Sequence, residues 1–212
     1  MNLKKTSAFF LTGILCIALS GGCAQKQEKT QKNESETVSD TNTALESTTK
    51  ENDAPDILSL GEFSLEDITG TAYTNEMFQD YKLTMINVFT TWCTPCINEI
   101  PDLEKLHQEM KEQGVNVVGV VLDATDEAGN KNEETLEKAK LLAERTGATY
   151  PFLIPDAGAL NGRLKGIEAV PETFFVDKDG TIVGKTYSGS HSLEDWKAIV
   201  QTQLDGLKGD AS

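Results

Sequence analysis

Histidine, cysteine and positive charge are scarce in this chain, and each shortage closes off a class of chemistry. Two histidines, His107 and His191, and four cysteines leave few ligands from which to assemble a metal site. Lysine and arginine number 19 against 34 aspartates and glutamates, a formal net charge of −15. So acidic a surface is unsuited to nucleic acid and to direct adsorption on anionic lipid, since both reward positive charge. No glycine-rich loop is placed to cradle a phosphate, no repeat is present, and no cofactor is expected. No apolar run reaches the roughly 18–20 residues that a spanning helix needs. At 212 residues the chain holds one well-buried domain with appendages, not two ordinary domains.

What is present begins with a targeting segment. Lys4 and Lys5 give a basic start, Ala8 to Leu19 an apolar run, and Ser20-Gly21-Gly22 leads to Cys23. This arrangement resembles a bacterial lipoprotein signal, which implies cleavage after residue 22 and lipid attachment at Cys23. The remaining domain would then face an extracytoplasmic space, anchored to the membrane by lipid. From Ala24 to Ala54 the chain is almost wholly polar, with Val38 and Leu45 as its larger apolar residues. Such a stretch buries too little surface to offset its ordering entropy and is expected to be a disordered tether over 23–54. A flexible tether of that length spans about 30 Å. The ordered domain is expected over 55–210.

The cysteines sort themselves in this light. Cys16 leaves with the signal and Cys23 takes lipid, so the mature domain keeps only Cys93 and Cys96. A disulfide closing so small a loop restrains little of the unfolded chain, so stabilisation is a poor reason to keep it. In an oxidising compartment such a pair is most simply a working redox couple.

Apolar patterning places the pair within a fold. Short strands are expected at 63–67 and 71–73, and compact apolar runs predict buried strands at 83–89 and 115–122. Between the latter two, Ile97, Ile100, Leu103, Leu106 and Met110 recur at helical spacing up to Gly114, with Pro101 expected to kink the helix. Helices are also predicted at 133–145, 159–164 and from Leu193 onward, and a strand at 152–154. A hairpin is expected around Asp177-Lys178-Asp179-Gly180. The order implies an α/β fold: a central mixed sheet with helices on both faces, preceded by an N-terminal strand extension.

Trp92-Cys93-Thr94-Pro95-Cys96 carries the chemistry. At a helix N-terminus, unpaired N–H groups and the helix dipole favour a thiolate at Cys93. A free cysteine is about 3% thiolate at pH 7, whereas one with pKa near 7 is half ionised. Cys96, one turn inside, would be shielded and attack second. Pro95 fixes the backbone between them without removing a needed hydrogen bond, and Trp92 would cover one side of the pair. Half of a zinc site is the rival reading of two cysteines so spaced. It needs two further ligands, and only His107 and His191 remain; both read as incidental, His107 as a solvated helix residue.

Asn87 to Cys96, with Glu99 and Pro101 after it, resembles the active-site strand and helix of the thioredoxin superfamily, most closely its extracytoplasmic TlpA/ResA-like branch. Val170-Pro171-Glu172-Thr173-Phe174-Phe175-Val176-Asp177 resembles the second signature of that fold. The resemblance implies that Pro171 is cis and lies against the cysteines, and that the Val170 backbone pairs with an extended substrate segment. Asn87 stands where thioredoxin proper has a buried Asp and cannot accept a proton. Glu99 matches an acid that cytochrome-maturation members of the branch place near their cysteines, which implies proton exchange with Cys96. Glu172 resembles the residue after the cis proline in some of those reductants.

These features together predict a membrane-tethered, monomeric thiol–disulfide oxidoreductase. The resemblance favours a reductant of disulfides in exported proteins, of the cytochrome c maturation or methionine sulfoxide reductase recycling type, supplied by a membrane electron donor. A disulfide-donating oxidase or isomerase and a copper-handling or binding module remain open alternatives. A thiol peroxidase is disfavoured, because Cys93 lacks an upstream Pro-x-x-x-Thr loop.

Overall fold

A computed structural model of the chain describes residues 58–158 and 160–209. The signal segment, Cys16, Cys23 and the tether lie outside the described residues, as does Pro55, near which order was expected to begin. Strands β1 (Ser64–Glu66) and β2 (Ala72–Thr74) pair antiparallel as a small hairpin. The main sheet comprises β3 (Leu83–Phe89), β4 (Val115–Val121), β5 (Phe152–Leu153), β6 (Glu172–Asp177) and β7 (Ile182–Ser188). Its order is β5-β4-β3-β6-β7, parallel from β5 to β3 and antiparallel from β3 to β7. Helices α1 (Thr94–Met110), α2 (Glu133–Thr146) and α3 (Leu193–Gly209) complete the fold.

The two apolar runs become the centre of the sheet because neither carries a charged side chain. Every residue of β3 and β4 is buried, and strand alternation divides them between two cores. Leu83, Met85, Phe89, Val117, Val121 and Phe175 face α1, α2 and α3, whose Ile100, Leu103, Leu136, Ala139, Trp196 and Val200 join the same cluster. Ile86, Val88, Val118, Val120, Phe174 and Val176 face the other way. There they meet Leu65 of the hairpin, Phe78 of a 3-10 turn (Asn75–Phe78), and Leu160 and Leu164. Each large side chain buried in this way contributes roughly 1.5–3 kcal/mol. Among the described residues helical cover is therefore unequal: the three α-helices join the first cluster, while short 3-10 turns at Asn75–Phe78 and Leu122–Ala124 contribute to the second.

Local expectations are met at most boundaries. Gly114 closes the first helix at φ 87, a conformation open to glycine, after a 3-10 turn over Lys111–Gln113. The helix runs on through Pro101. A helix at 159–164 is not formed among the described residues of that stretch. Leu160 and Asn161 adopt φ 50 and 58, the left-handed region, and Asn161 Nδ2 donates to the Ser59 carbonyl at 3.0 Å. A side chain that can bond backbone elsewhere competes with helix formation. No helix among the described residues is long and apolar enough to cross a membrane.

Candidate active site

The carboxyl end of β3 hands the chain to α1 through Thr90-Thr91-Trp92, and Cys93 is the N-cap of that helix. Its sulfur accepts the Cys96 backbone N–H at 3.3 Å. Pro95 occupies the first turn, where helices have spare N–H groups and proline removes nothing. Cys93 and Cys96 form a disulfide with Cα atoms 5.3 Å apart. Across from it the Val170–Pro171 peptide is cis, and the Val170 carbonyl oxygen lies 3.6 Å from Cys93 Sγ. With the disulfide closed this is a contact; a reduced thiol at Cys93 has a proton to donate there. Cys96 is 1% exposed, and Cys93 itself only 5%, because its sulfur is turned inward toward Cys96 and Val170.

Glu99 sits on the next turn of α1 behind Cys96 and is 3% exposed. Among the described residues no Lys or Arg forms an ion pair with its carboxylate. Oε1 accepts two hydrogen bonds, from the Trp196 indole N–H and from the His191 backbone N–H, both at 2.7 Å. Oε2 accepts one, at 3.3 Å, from Asn87 Nδ2, which also donates to Thr173 Oγ1 at 3.0 Å. Burial pushes the Glu99 carboxyl above its ordinary range, against the lowering effect of these donors and of nearby His191. A carboxyl that holds its proton more tightly than usual, one helical turn from a thiol, is suited to exchange a proton with it.

A model of the AhpC/TSA family matches residues 53–185. The chain belongs to that family. Over 149 residues it is 33% identical to the thiol-disulfide oxidoreductase ResA of Halalkalibacterium halodurans, covering 70% of this chain and 75% of the relative. It is 32% identical over 135 residues to the thiol:disulfide interchange protein DsbE of Haemophilus influenzae, covering 64% and 66%. Among solved structures, a thiol:disulfide interchange protein of the thioredoxin family from Chlorobium tepidum TLS superposes with a TM-score of 0.55 at 27% identity. That match covers 68% of this chain and 93% of the other. This member of the AhpC/TSA family is thus an enzyme, a thiol–disulfide oxidoreductase of the ResA/DsbE type on a thioredoxin-like fold.

The residues singled out in the sequence do not all converge. Trp92 does not cover the pair; it is 72% exposed, standing in solvent beside Cys93. Glu172 lies on the opposite face of the sheet from Asn87 and Thr173. There it pairs with Arg163 at 2.9 Å, and the guanidinium also stacks 4.1 Å from the Phe174 ring centroid. His107 is not a solvated residue: it is 7% exposed, and burial holds its imidazole below the ordinary histidine range. Its position four residues after Leu103 is the apolar-face spacing, a signal its polarity hid. His191 is not incidental, since its backbone holds Glu99 and its ring packs 4.7 Å from that of Trp196.

Asp123 is a member of the site that the sequence did not disclose. It follows β4, and its carboxylate accepts the Thr91 N–H at 3.0 Å and the Thr91 hydroxyl at 2.7 Å, fixing the loop that presents Cys93. Its only sequence signal is an acidic residue at the carboxyl end of a central strand, where α/β sheets gather their sites. Among the described residues no group of three or more His, Cys, Asp or Glu is arranged to hold a metal.

Proposed function

We propose that the chain is a lipid-anchored, extracytoplasmic dithiol reductant acting on disulfides of exported proteins, with Cys93 as nucleophile and Cys96 as resolving thiol. The observation that carries the residue assignment is the placement of Cys93 at the helix N-cap, against the Val170 carbonyl, with Cys96 covered behind it. The N-cap position favours the thiolate. The Val170 and Pro171 backbone receives an extended client segment, and exposed Trp92 offers it apolar contact.

The reaction then balances as follows. The Cys93 thiolate attacks one sulfur of the client disulfide, forming a mixed disulfide and releasing a client thiolate. Cys96 gives its proton to Glu99 and attacks Cys93 Sγ. The Cys93–Cys96 disulfide forms and the second client thiolate leaves, two electrons having passed to the client. A membrane dithiol donor reverses the change in the enzyme. The lipoprotein-like signal ahead of Cys23 and the polar stretch after it support this reading, with lipid attachment at Cys23, a tether over 23–54 and a domain over 55–210, as does resemblance to the cytochrome-maturation branch. Apocytochrome c and an extracytoplasmic methionine sulfoxide reductase are the clients that resemblance favours.

The test is the reduction potential of the Cys93–Cys96 couple, equilibrated against glutathione or dithiothreitol. A value below about −240 mV is expected of a reductant that draws on a membrane supply. A value above about −180 mV overturns the direction and makes the enzyme a disulfide donor or isomerase. Labelling with radioactive palmitate, lost in Cys23→Ala, tests the anchor separately.

A further inference from the structure

Between β7 and α3 the chain makes two backbone hydrogen bonds, two residues apart, to two different parts of the site. The Gly189 N–H donates to the Pro171 carbonyl at 2.9 Å, and the His191 N–H donates to Glu99 Oε1 at 2.7 Å. Trp196, fully buried in the first turn of α3, brings its indole N–H to the same oxygen. We propose that the Gly189–His191 loop and Trp196 are the positioning element of Glu99, fixing one carboxylate oxygen and tying it to the backbone on which a client segment docks. This rests on the reading of Glu99 as proton acceptor for Cys96.

The geometry assigns the two oxygens different work. Oε1, held by two short donations, has its lone pairs engaged. Oε2 receives only the long bond from Asn87 and is the oxygen free to take a proton. A groove lined by Pro95, Asn98, Asp102, Ser190 and His191 also has Glu99 in its wall. Among the described residues, the groups around Glu99 are Cys96, one turn earlier on its own helix, and Asn87 on β3, which is itself bonded to Thr173 on β6. His191, Trp196, Tyr150 and, at the groove rim, Asp102 complete the set. His191 is the single cationic candidate among them. Three neutral donors stabilise the ionised form of Glu99, two of them on Oε1, so losing one favours the protonated form.

Gly189 supplies a clean way to disturb the strap. It adopts φ 88, which L side chains rarely take, yet a Cβ there meets nothing within 4 Å. Gly189→Ala therefore strains the loop backbone without a clash.

The experiment compares pH–rate profiles of disulfide exchange for the full chain, with a disulfide-bonded peptide and with a small aliphatic disulfide. In Trp196→Phe, which keeps an aromatic side chain and loses the donor, the acid limb should move alkaline, with exchange about tenfold slower at a fixed pH on that limb. Gly189→Ala should move the limb the same way for both substrates and raise KM several-fold for the peptide alone. In isotope-labelled wild type, the Trp196 indole resonance should titrate with the midpoint of that limb and stop titrating in Glu99→Gln. This measurement decides the matter even if Trp196→Phe fails to fold. An acid limb that Glu99→Gln abolishes but Trp196→Phe and Gly189→Ala leave in place overturns the proposal alone. So does an indole resonance indifferent to Glu99→Gln. A limb that Glu99→Gln leaves unchanged sinks the acceptor reading, and the proposal with it.

Discussion

Glu99 and Glu172 approach the same two strands, β3 and β6, from opposite faces, and the two carboxylates are satisfied in opposite ways. Glu99 is held by an indole, a backbone amide and an asparagine, all neutral. Glu172 is held by a guanidinium that is itself packed on Phe174. With only neutral donors, desolvation still raises the buried Glu99 carboxyl above its ordinary range, whereas the Glu172 carboxylate is matched by an opposite charge. The helical face of the sheet thus holds a buried acid with no Lys or Arg ion pair among the described residues, one helical turn from Cys96 of the disulfide. The other face holds a fastening that ties the segment around Arg163 to the strand after Pro171.

The largest effect that tests this contrast lies on the helical face. Cys96→Ser should lower steady-state exchange at least about a thousandfold and trap the client as a mixed disulfide at Cys93, visible on non-reducing gels. Glu99→Gln should slow exchange about tenfold to a hundredfold and remove the acid limb of the pH–rate profile. Its effect on stability has a definite sign. Burial raises the folded-state pKa of Glu99 above the unfolded value of 4.5, so its contribution is full below that value and is lost as pH rises through the folded one. The variant should therefore gain on wild type in denaturant titrations as pH rises, and match it in acid.

On the fastening face the pattern inverts. Arg163→Met should cost about 1–2 kcal/mol of stability, reduced from the cost at a fully buried pair because both side chains keep some exposure. It should leave the acid limb of exchange where it was; a moved limb would break the contrast. The smallest effect is expected at His107, which burial holds neutral. Its folded-state pKa lies below the unfolded 6.5, so wild type should lose stability as pH falls from there toward the folded value. His107→Leu should abolish that loss, as melting temperatures across the range would record.

The helical face also shows how far the sequence could be read. The dithiol, the strand before it and the helix after it were legible because each is a local pattern: a spacing of two, a continuous apolar run, an apolar residue every three or four. Pro171 opposite was marked by resemblance alone. Glu99 was marked by resemblance and by its place one turn past Cys96. Its donors were not, since Trp196 and His191 lie 97 and 92 residues away along the chain. Asp123 escaped for the same reason, as it holds Thr91 across 32 residues. Glu172 was marked only by its resemblance to the residue after the cis proline of some reductants, and strand alternation sends its side chain to the face away from Asn87 and Thr173.

What the sequence determined by itself is therefore the order of elements, the buried centre of the sheet and the identity of the redox pair. Those follow from hydrophobic periodicity and short-range chemistry, which act over a few residues. The tertiary structure alone decided which carboxylate stands with the cysteines and which with an arginine. It also decided that His107 is buried and that Trp92 meets solvent. Those outcomes depend on which faces of distant elements are brought together, and the environment so created, not the residue type, sets whether a carboxyl keeps its proton.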